Sequence, residues 1–390
     1  MKILLVHNNY GAYSGEEAVV DQQISLFTQM GHQVSVYRKT TEGARGSLLG
    51  NLSGLLSGFY APKAVREMIR LMKSEDRPDV VVIHNLYPFI SPAILKHIKR
   101  MGVPVIMTVH NFRLMCPTGL FMRDSQPCER CLRQSEWNCV RYNCEDSRLK
   151  SFGYAARSWY ARITKAYINH VDKYACITKF QIQKLIEAGY AAEKMVHIPN
   201  FISQDIHAEV YPQGDYIAIS GRISKEKGID WALNLAGKTP DIKYVFAGLP
   251  REGEESIASV IPGNCTFLGH ISDQQLQSFY QNARFLLNTS RCYEGFPMAI
   301  LEAASYGKPA IGPGHAGFLE IIDHGVTGYH FRPGDENDLE KQVVALWNDA
   351  ETCLKMGQNA RKKLKEQYTA TTLSRAWEAL LLTTSYRAML

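Results

Sequence analysis

No apolar run in this chain approaches the roughly 20 residues that a helix needs to cross a bilayer, so a membrane-spanning helix is not expected. The positive charge is not concentrated in any long run and no recognition module appears, which sets nucleic acid aside as a partner. Short repeats and low-complexity tracts are missing, which excludes solenoids and compositional linkers. Cysteine is sparse, nine in 390 residues, and residues 1–8 are too short for a signal peptide. They read as a buried first strand, so the expected compartment is the cytoplasm, with thiols reduced or metal-bound rather than paired in disulfides. What is present is an ordinary globular composition: 45% hydrophobic and 21% charged residues, in a chain long enough for two domains that each bury a core.

Apolar runs alternate with helix-like stretches along almost the whole chain. Residues 3–7, 34–37, 80–84 and 103–110 read as strands, with a helix from about Gly15; a long helix over 150–172, carrying Phe152, Tyr154, Trp159 and Tyr160, leads to a strand at 174–178. A second series places strands at 216–221, 244–248, 265–269, 285–288 and 309–312, closed by helices at about 335–348 and 351–367. This rhythm predicts an α/β fold of parallel, doubly wound sheets covered on both faces. Periodicity fails between residues 198 and 214, where Pro and Gly gather, and the domain junction is placed there. The expected division is 1–205, 206–370, and a final helix in 371–390 that packs back across the junction. Residues 115–146 interrupt the first series and read as an insertion.

The formal net charge of +6 is unevenly spread: residues 1–200 hold 26 Lys and Arg against 16 Asp and Glu, the remainder 18 against 22. A basic first half suits an anionic membrane surface or a phosphate-bearing acceptor, the plainer reading being a merely soluble surface.

The chemistry-bearing residues gather at strand ends. After the apolar run at 285–288 comes Glu294, then a helix expected to begin near Phe296, with Glu302 roughly two turns along it. A helix N-terminus offers unpaired N–H groups and the positive end of the dipole, a seat for phosphate. Two carboxylates beside it point to a ligand part hydroxyl-rich and part anionic, as a nucleotide sugar is. Glutamates eight apart arise often by chance; the strand–loop–helix–strand setting gives this pair its weight. At Gly221 another strand ends and is followed by Arg222 and Lys227, a planar fork and a point charge that suit a diphosphate. The first loop holds Gly11 and Gly15, where backbone amides can approach a phosphate or sugar, though not at dinucleotide-binding spacing. His110 ends a strand, either as a structural hydrogen-bonding group or as part of a site.

Five ordered features resemble the family-4 retaining glycosyltransferases over nearly the whole chain: the glycine-bearing first loop, His110, Gly-Arg-x-x-x-x-Lys-Gly at 221–228, Leu268-Gly-His-Ile, and the E-x7-E segment followed by Gly-Lys-Pro. The resemblance implies the GT-B fold, two Rossmann-like doubly wound domains facing across a cleft, here with a small cysteine-rich insertion in the N-terminal domain. It implies sugar transfer, with retention and without a catalytic metal, from a nucleotide-diphosphate sugar to a glycan or polyprenyl-diphosphate-linked acceptor in cell-surface polysaccharide synthesis. By position, Glu302 bonds the ribose and Glu294 the donor sugar, Arg222 and Lys227 hold the diphosphate and stabilise its departure, the backbone at Ile271 touches the base, and Gly15 and His110 close the site from the N-terminal domain. Glu294, His110, Arg222 and Lys227 form the expected catalytic group. Many relatives carry glycine where this chain has Pro297, which lacks an N–H. The amides of Phe296 and Met298 are expected to carry that contact.

Cys116, Cys128, Cys131, Cys139 and Cys144 fall within 29 residues. The Cys128-x-x-Cys131 spacing lets two thiolates share one tetrahedral structural zinc, with Cys116 and Cys144 as outer ligands and Cys139 left over. Some capsule and exopolysaccharide enzymes of the same family look similar here, which implies a role in shaping the acceptor pocket. Residues 47–60, followed by Lys63, Arg66, Arg70 and Lys73, read either as an apolar stripe flanked by cations for peripheral contact with an anionic membrane, or as a core-facing helix. Two rival functions stand beside sugar transfer: a nucleotide-sugar epimerase of related fold, which turns over donor alone, and a non-catalytic nucleotide-binding scaffold, which has no activity to lose.

Overall fold

The computed structural model describes residues 1–9, 15–40, 54, 57–133, 135–202, 213–251, 254–258 and 261–386. Gly11 and most of the 47–60 stretch lie outside them. The chain divides into two compact units, one of Met1–Gly119, Glu129–Ser203 and Ala370–Leu390, the other of Leu120–Cys128 and Gln204–Thr369.

Among the described residues the first unit holds six strands: β1 (Lys2–Asn9), β2 (Gln33–Thr40), β3 (Val80–Asn85), β4 (Val105–Val109), β5 (Lys173–Cys176) and β6 (Met195–His197). They pair in parallel in the order β2-β1-β3-β4-β5-β6. Every residue of β3 and β4 is buried, as a parallel sheet covered on both faces requires. Ile3, Phe27, Val80, Val82 and Ile106 share a core with Leu373, Trp377, Leu380 and Leu381 of the final helix, Ala370–Tyr386. The Phe27 and Trp377 rings meet edge to face at 5.3 Å.

The second unit repeats the plan with β7 (Tyr216–Ser220), β8 (Lys243–Ala247), β9 (Cys265–Phe267), β10 (Ala283–Leu287), β11 (Ala310–Pro313) and β12 (Gly328–Phe331). These six strands pair in parallel, in the order β9-β8-β7-β10-β11-β12. The order reverses beside β7, and ligands of open α/β sheets bind at such a reversal, outside the carboxyl ends of the strands. The tips of β7 and β8 are clamped by glycine: Gly248 has φ +152°, and a Cβ there would lie 1.8 Å from the carbonyl oxygen of Gly221.

Two expected elements differ in detail. The long helix is two, Arg148–Ile163 and Ala166–His170, because Lys165 between them takes a left-handed conformation with φ +50°. Thr164 Oγ1 donates to the Tyr160 carbonyl at 2.8 Å just before this break. The helix after Glu294 starts at Met298, with Pro297 as its N-cap, so Glu302 lies about one turn in rather than two. Gly248→Ala should destabilise the protein by about 1–3 kcal/mol through overpacking, read as a lower urea midpoint with an unchanged slope.

Candidate active-site residues at the strand ends

In the second unit, the turn after β7 carries Arg222, then a single 3-10 turn, Lys225–Lys227, and Gly228 at φ +64°. A Cβ on Gly228 would sit 2.1 Å from the Thr289 carbonyl oxygen, so glycine lets this turn lie against the loop after β10. Thr289 Oγ1 donates to the Lys227 carbonyl at 2.9 Å and fixes the approach from the other side. Lys227 Nζ thereby meets Glu294 Oε1 in a largely buried ion pair, and Ser290 Oγ donates to the same oxygen at 2.5 Å. Both donors address Oε1, which leaves Oε2 to accept from a ligand hydroxyl.

Burial works against the Lys227 ammonium, yet the neighbouring Glu294 carboxylate outweighs it and holds the lysine above its ordinary value. Burial also opposes the Glu294 charge, and Lys227, with the hydrogen bonds from Lys227 and Ser290, brings it below the ordinary carboxyl range. Arg222 is 60% exposed, its guanidinium 3.9 Å from Glu226 Oε1. Glu302 accepts from Tyr280 Oη at 2.7 Å, and burial raises its pKa, opposed by that bond. Ile271 lies half-buried in the loop after β9, directly before Ser272, which caps the helix Asp273–Gln281. Phe296 turns its ring into the core against Tyr368, leaving only its backbone for a ligand, and Met298 opens its helix.

In the first unit, Gly15 opens the helix Gly15–Gln29 and is exposed. His110 follows β4 and hydrogen-bonds His84 through its Nε2, 2.6 Å from His84 Nδ1, with the two rings stacked 4.8 Å apart. His7 stands perpendicular to His84 at 6.1 Å, and its Nε2 is 3.7 Å from Glu17 Oε1. Burial pushes His110 down to about 3 and His84 well below the ordinary histidine value. Both imidazoles are therefore neutral at physiological pH, and one must donate to the other. Asn85 and Asn8 brace the strand tips: Asn85 Nδ2 donates to the Asn8 carbonyl at 2.9 Å.

The expected zinc set is not assembled. None of the insertion's cysteines is in a disulfide, and among the described residues no group of three or more His, Cys, Asp or Glu is placed to hold a metal ion. Cys128 ends the segment grouped with the second unit, whereas Cys116, Cys131, Cys139 and Cys144 belong to the first. Cys144 instead folds back on Cys139, donating its N–H to the Cys139 carbonyl at 3.0 Å. The hydrogen bond with Cys144, then burial, push the fully buried Cys139 thiol far up, with Cys116 and Cys131 adding to the shift.

Residues 13–205 match the model of Glycosyltransferase Family 4 and residues 203–363 that of Glycosyl transferases group 1. The chain belongs to the family-4 glycosyltransferases. It is 34% identical over 215 residues to the N-acetyl-alpha-D-glucosaminyl L-malate synthase of Bacillus anthracis, a match covering 54% of this chain and 51% of that one. It is 24% identical over 220 residues to an uncharacterized 41.2 kDa protein in the cps region of Klebsiella pneumoniae, covering 52% and 61%. The matches thus span between half and two thirds of these relatives' own lengths. Anabaena HepE in complex with UDP and glucose has a similar fold, with TM-score 0.68, 16% identity, and 98% and 100% of the two chains covered. The two parallel-sheet units are those of the GT-B glycosyltransferases.

The sequence points to one strand-ending histidine, His110, and not to His7 and His84, although both also close apolar runs. His315 was missed as well. It is near enough to Glu294 to feel its charge, burial takes it down to about 4, and neither ring nitrogen has a hydrogen-bond partner. Tyr280 and Ser290 carried no signal, since neither stands in the motif it serves.

Lys227→Met should strand the Glu294 carboxylate and lower stability by about 3–5 kcal/mol at pH 7. In the wild type Glu294 is depressed below 4.5, so its contribution is full above that value and fades as pH falls through the folded pKa. The variant should behave oppositely, its deficit shrinking at acid pH as the stranded carboxyl protonates. Urea unfolding of both proteins at pH 7 and pH 5 checks the sign.

Proposed function

We propose that the protein transfers a glycosyl group, with retention, from a nucleotide-diphosphate sugar to a hydroxyl of a glycan or lipid-linked acceptor. The observation that carries this reading is the Lys227–Glu294 pair beside the outward-facing Arg222, at the strand ends where the second sheet reverses order. The HepE complexes with UDP and glucose and with UDP-glucose support a nucleotide-sugar donor.

In the proposed reaction the bond between C1 and the phosphate oxygen breaks, the nucleoside diphosphate leaves with the electron pair, and the acceptor oxygen bonds C1 on the same face. The acceptor proton passes to the departing phosphate. Arg222 and Lys227 meet the charge that develops on the diphosphate, and groups already held in place spend no reorganisation at that moment. Lys227 has three donors and Glu294 occupies one, so it can hold a phosphate without releasing the pair. Glu294 Oε2 accepts from a donor-sugar hydroxyl, Glu302 from the ribose, and the backbone at Ile271 and the amides of Phe296 and Met298 complete the donor contacts. No metal is required by this scheme.

The test is a thermal-shift and turnover screen over UDP-, GDP- and ADP-sugars with glycan and lipid-linked acceptors. At least one donor should stabilise the protein and be consumed. Arg222→Ala should lower kcat by about 100-fold or more, the usual loss for a transition-state charge contact, while Glu302→Ala should chiefly raise KM. Absence of any nucleotide-sugar effect overturns the proposal, and isomerisation of donor without acceptor would establish an epimerase instead.

A further inference from the structure

The helix Arg148–Ile163 is packed the wrong way round for a helix that only supports a core. Its buried residues are Ser151, Gly153, Ala155, Ala156 and Ala161. Its large apolar residues, Leu149, Phe152, Trp159, Tyr160 and Ile163, are between 36% and 76% exposed. At 3.6 residues per turn these five fall in one sector of roughly 100°. Trp137, itself exposed, extends the patch: its ring lies 5.7 Å from Phe152 and 6.1 Å from Trp159. A contiguous exposed apolar patch of this kind marks an interaction surface.

The surroundings say what kind. Between Arg130 and Lys165 the chain carries eight Lys and Arg against three Asp and Glu. One of those acids, Glu136, is buried and paired with Arg162. Arg148 and Lys150 at the start of the helix and Lys165 just beyond its end are exposed. Tryptophan and tyrosine with leucine and isoleucine, edged by cations, is the composition that lies in the boundary between headgroups and acyl chains. A second copy of this face would oppose like charges across a two-fold axis.

We propose that this helix docks the protein on an anionic lipid bilayer, lying in the interface with Phe152, Trp159 and Ile163 inward and Arg148, Lys150 and Lys165 against the headgroups. The patch continues onto Phe59, whose ring meets Tyr160 at 5.7 Å, and it does not depend on the transfer reaction.

The experiment uses the full chain with vesicles of phosphatidylglycerol and phosphatidylcholine, against phosphatidylcholine alone, without donor or acceptor. Sedimentation should recover the protein with the anionic vesicles, and tryptophan emission should shift to the blue and be quenched by brominated lipid. Phe152→Ser/Trp159→Ser and, separately, Arg148→Glu/Lys150→Glu should each weaken binding by about tenfold or more. Trp137→Phe/Trp159→Phe should abolish the quenching while keeping the binding. Wild type that remains in the supernatant with both vesicle types overturns the proposal, as does unquenched emission in the presence of vesicles. So does a wild-type dimer in sedimentation velocity that Phe152→Ser/Trp159→Ser converts to monomer.

Discussion

A parallel sheet covered on both faces leaves little room for polar groups along its central strands, and that constraint decides where this protein can do chemistry. β3 and β4 are buried from end to end, and their polar side chains, His84, Asn85 and Thr108, stand at the carboxyl ends. His84 and Asn85 close β3, His110 follows β4, Arg222 follows β7, and Glu294 stands in the loop after β10. The apolar interior and the polar rim are one design: the first fixes the backbone, and the second inherits its rigidity.

At that rim the Lys227–Glu294 pair is the main electrostatic element. Two charges drawn from water are tolerable because each offsets the cost of burying the other, and because Ser290 satisfies the carboxylate further. Glycine makes the meeting possible, since a side chain at Gly228 would strike the backbone carbonyl of Thr289, the residue whose hydroxyl anchors the lysine's turn. The buried histidines of the first unit form a contrasting set, neutral through burial rather than charged through pairing.

The features legible in the sequence were those confined to short segments. Alternating periodicity revealed both series of strands, and the E-x7-E and Gly-Arg-x-x-x-x-Lys-Gly segments supplied Glu294, Glu302, Arg222 and Lys227, because a strand end and the turn after it are written contiguously. Partners brought in by folding were silent: Tyr280 reaches Glu302 across 22 positions, and His84 reaches His110 across 26. Cysteine spacing singled out the Cys128-x-x-Cys131 pair, whereas the thiols that act on the buried Cys139 are those of Cys144, Cys116 and Cys131, brought together from across the insertion. For the helix Arg148–Ile163 the apolar stripe was visible but its direction was not, since periodicity tells that a face exists and not whether the protein or something else covers it.

The first core draws Leu373, Trp377, Leu380 and Leu381 from a stretch synthesised after every residue of the second unit. The lobe begun earliest on the ribosome is thus completed last, and must wait, partly uncovered, while its neighbour is translated. A chimaera cut only at Ser203 would divorce each lobe from this arrangement, pairing the first with a foreign keystone; exchange between relatives has to carry the terminal helix together with the amino-terminal half.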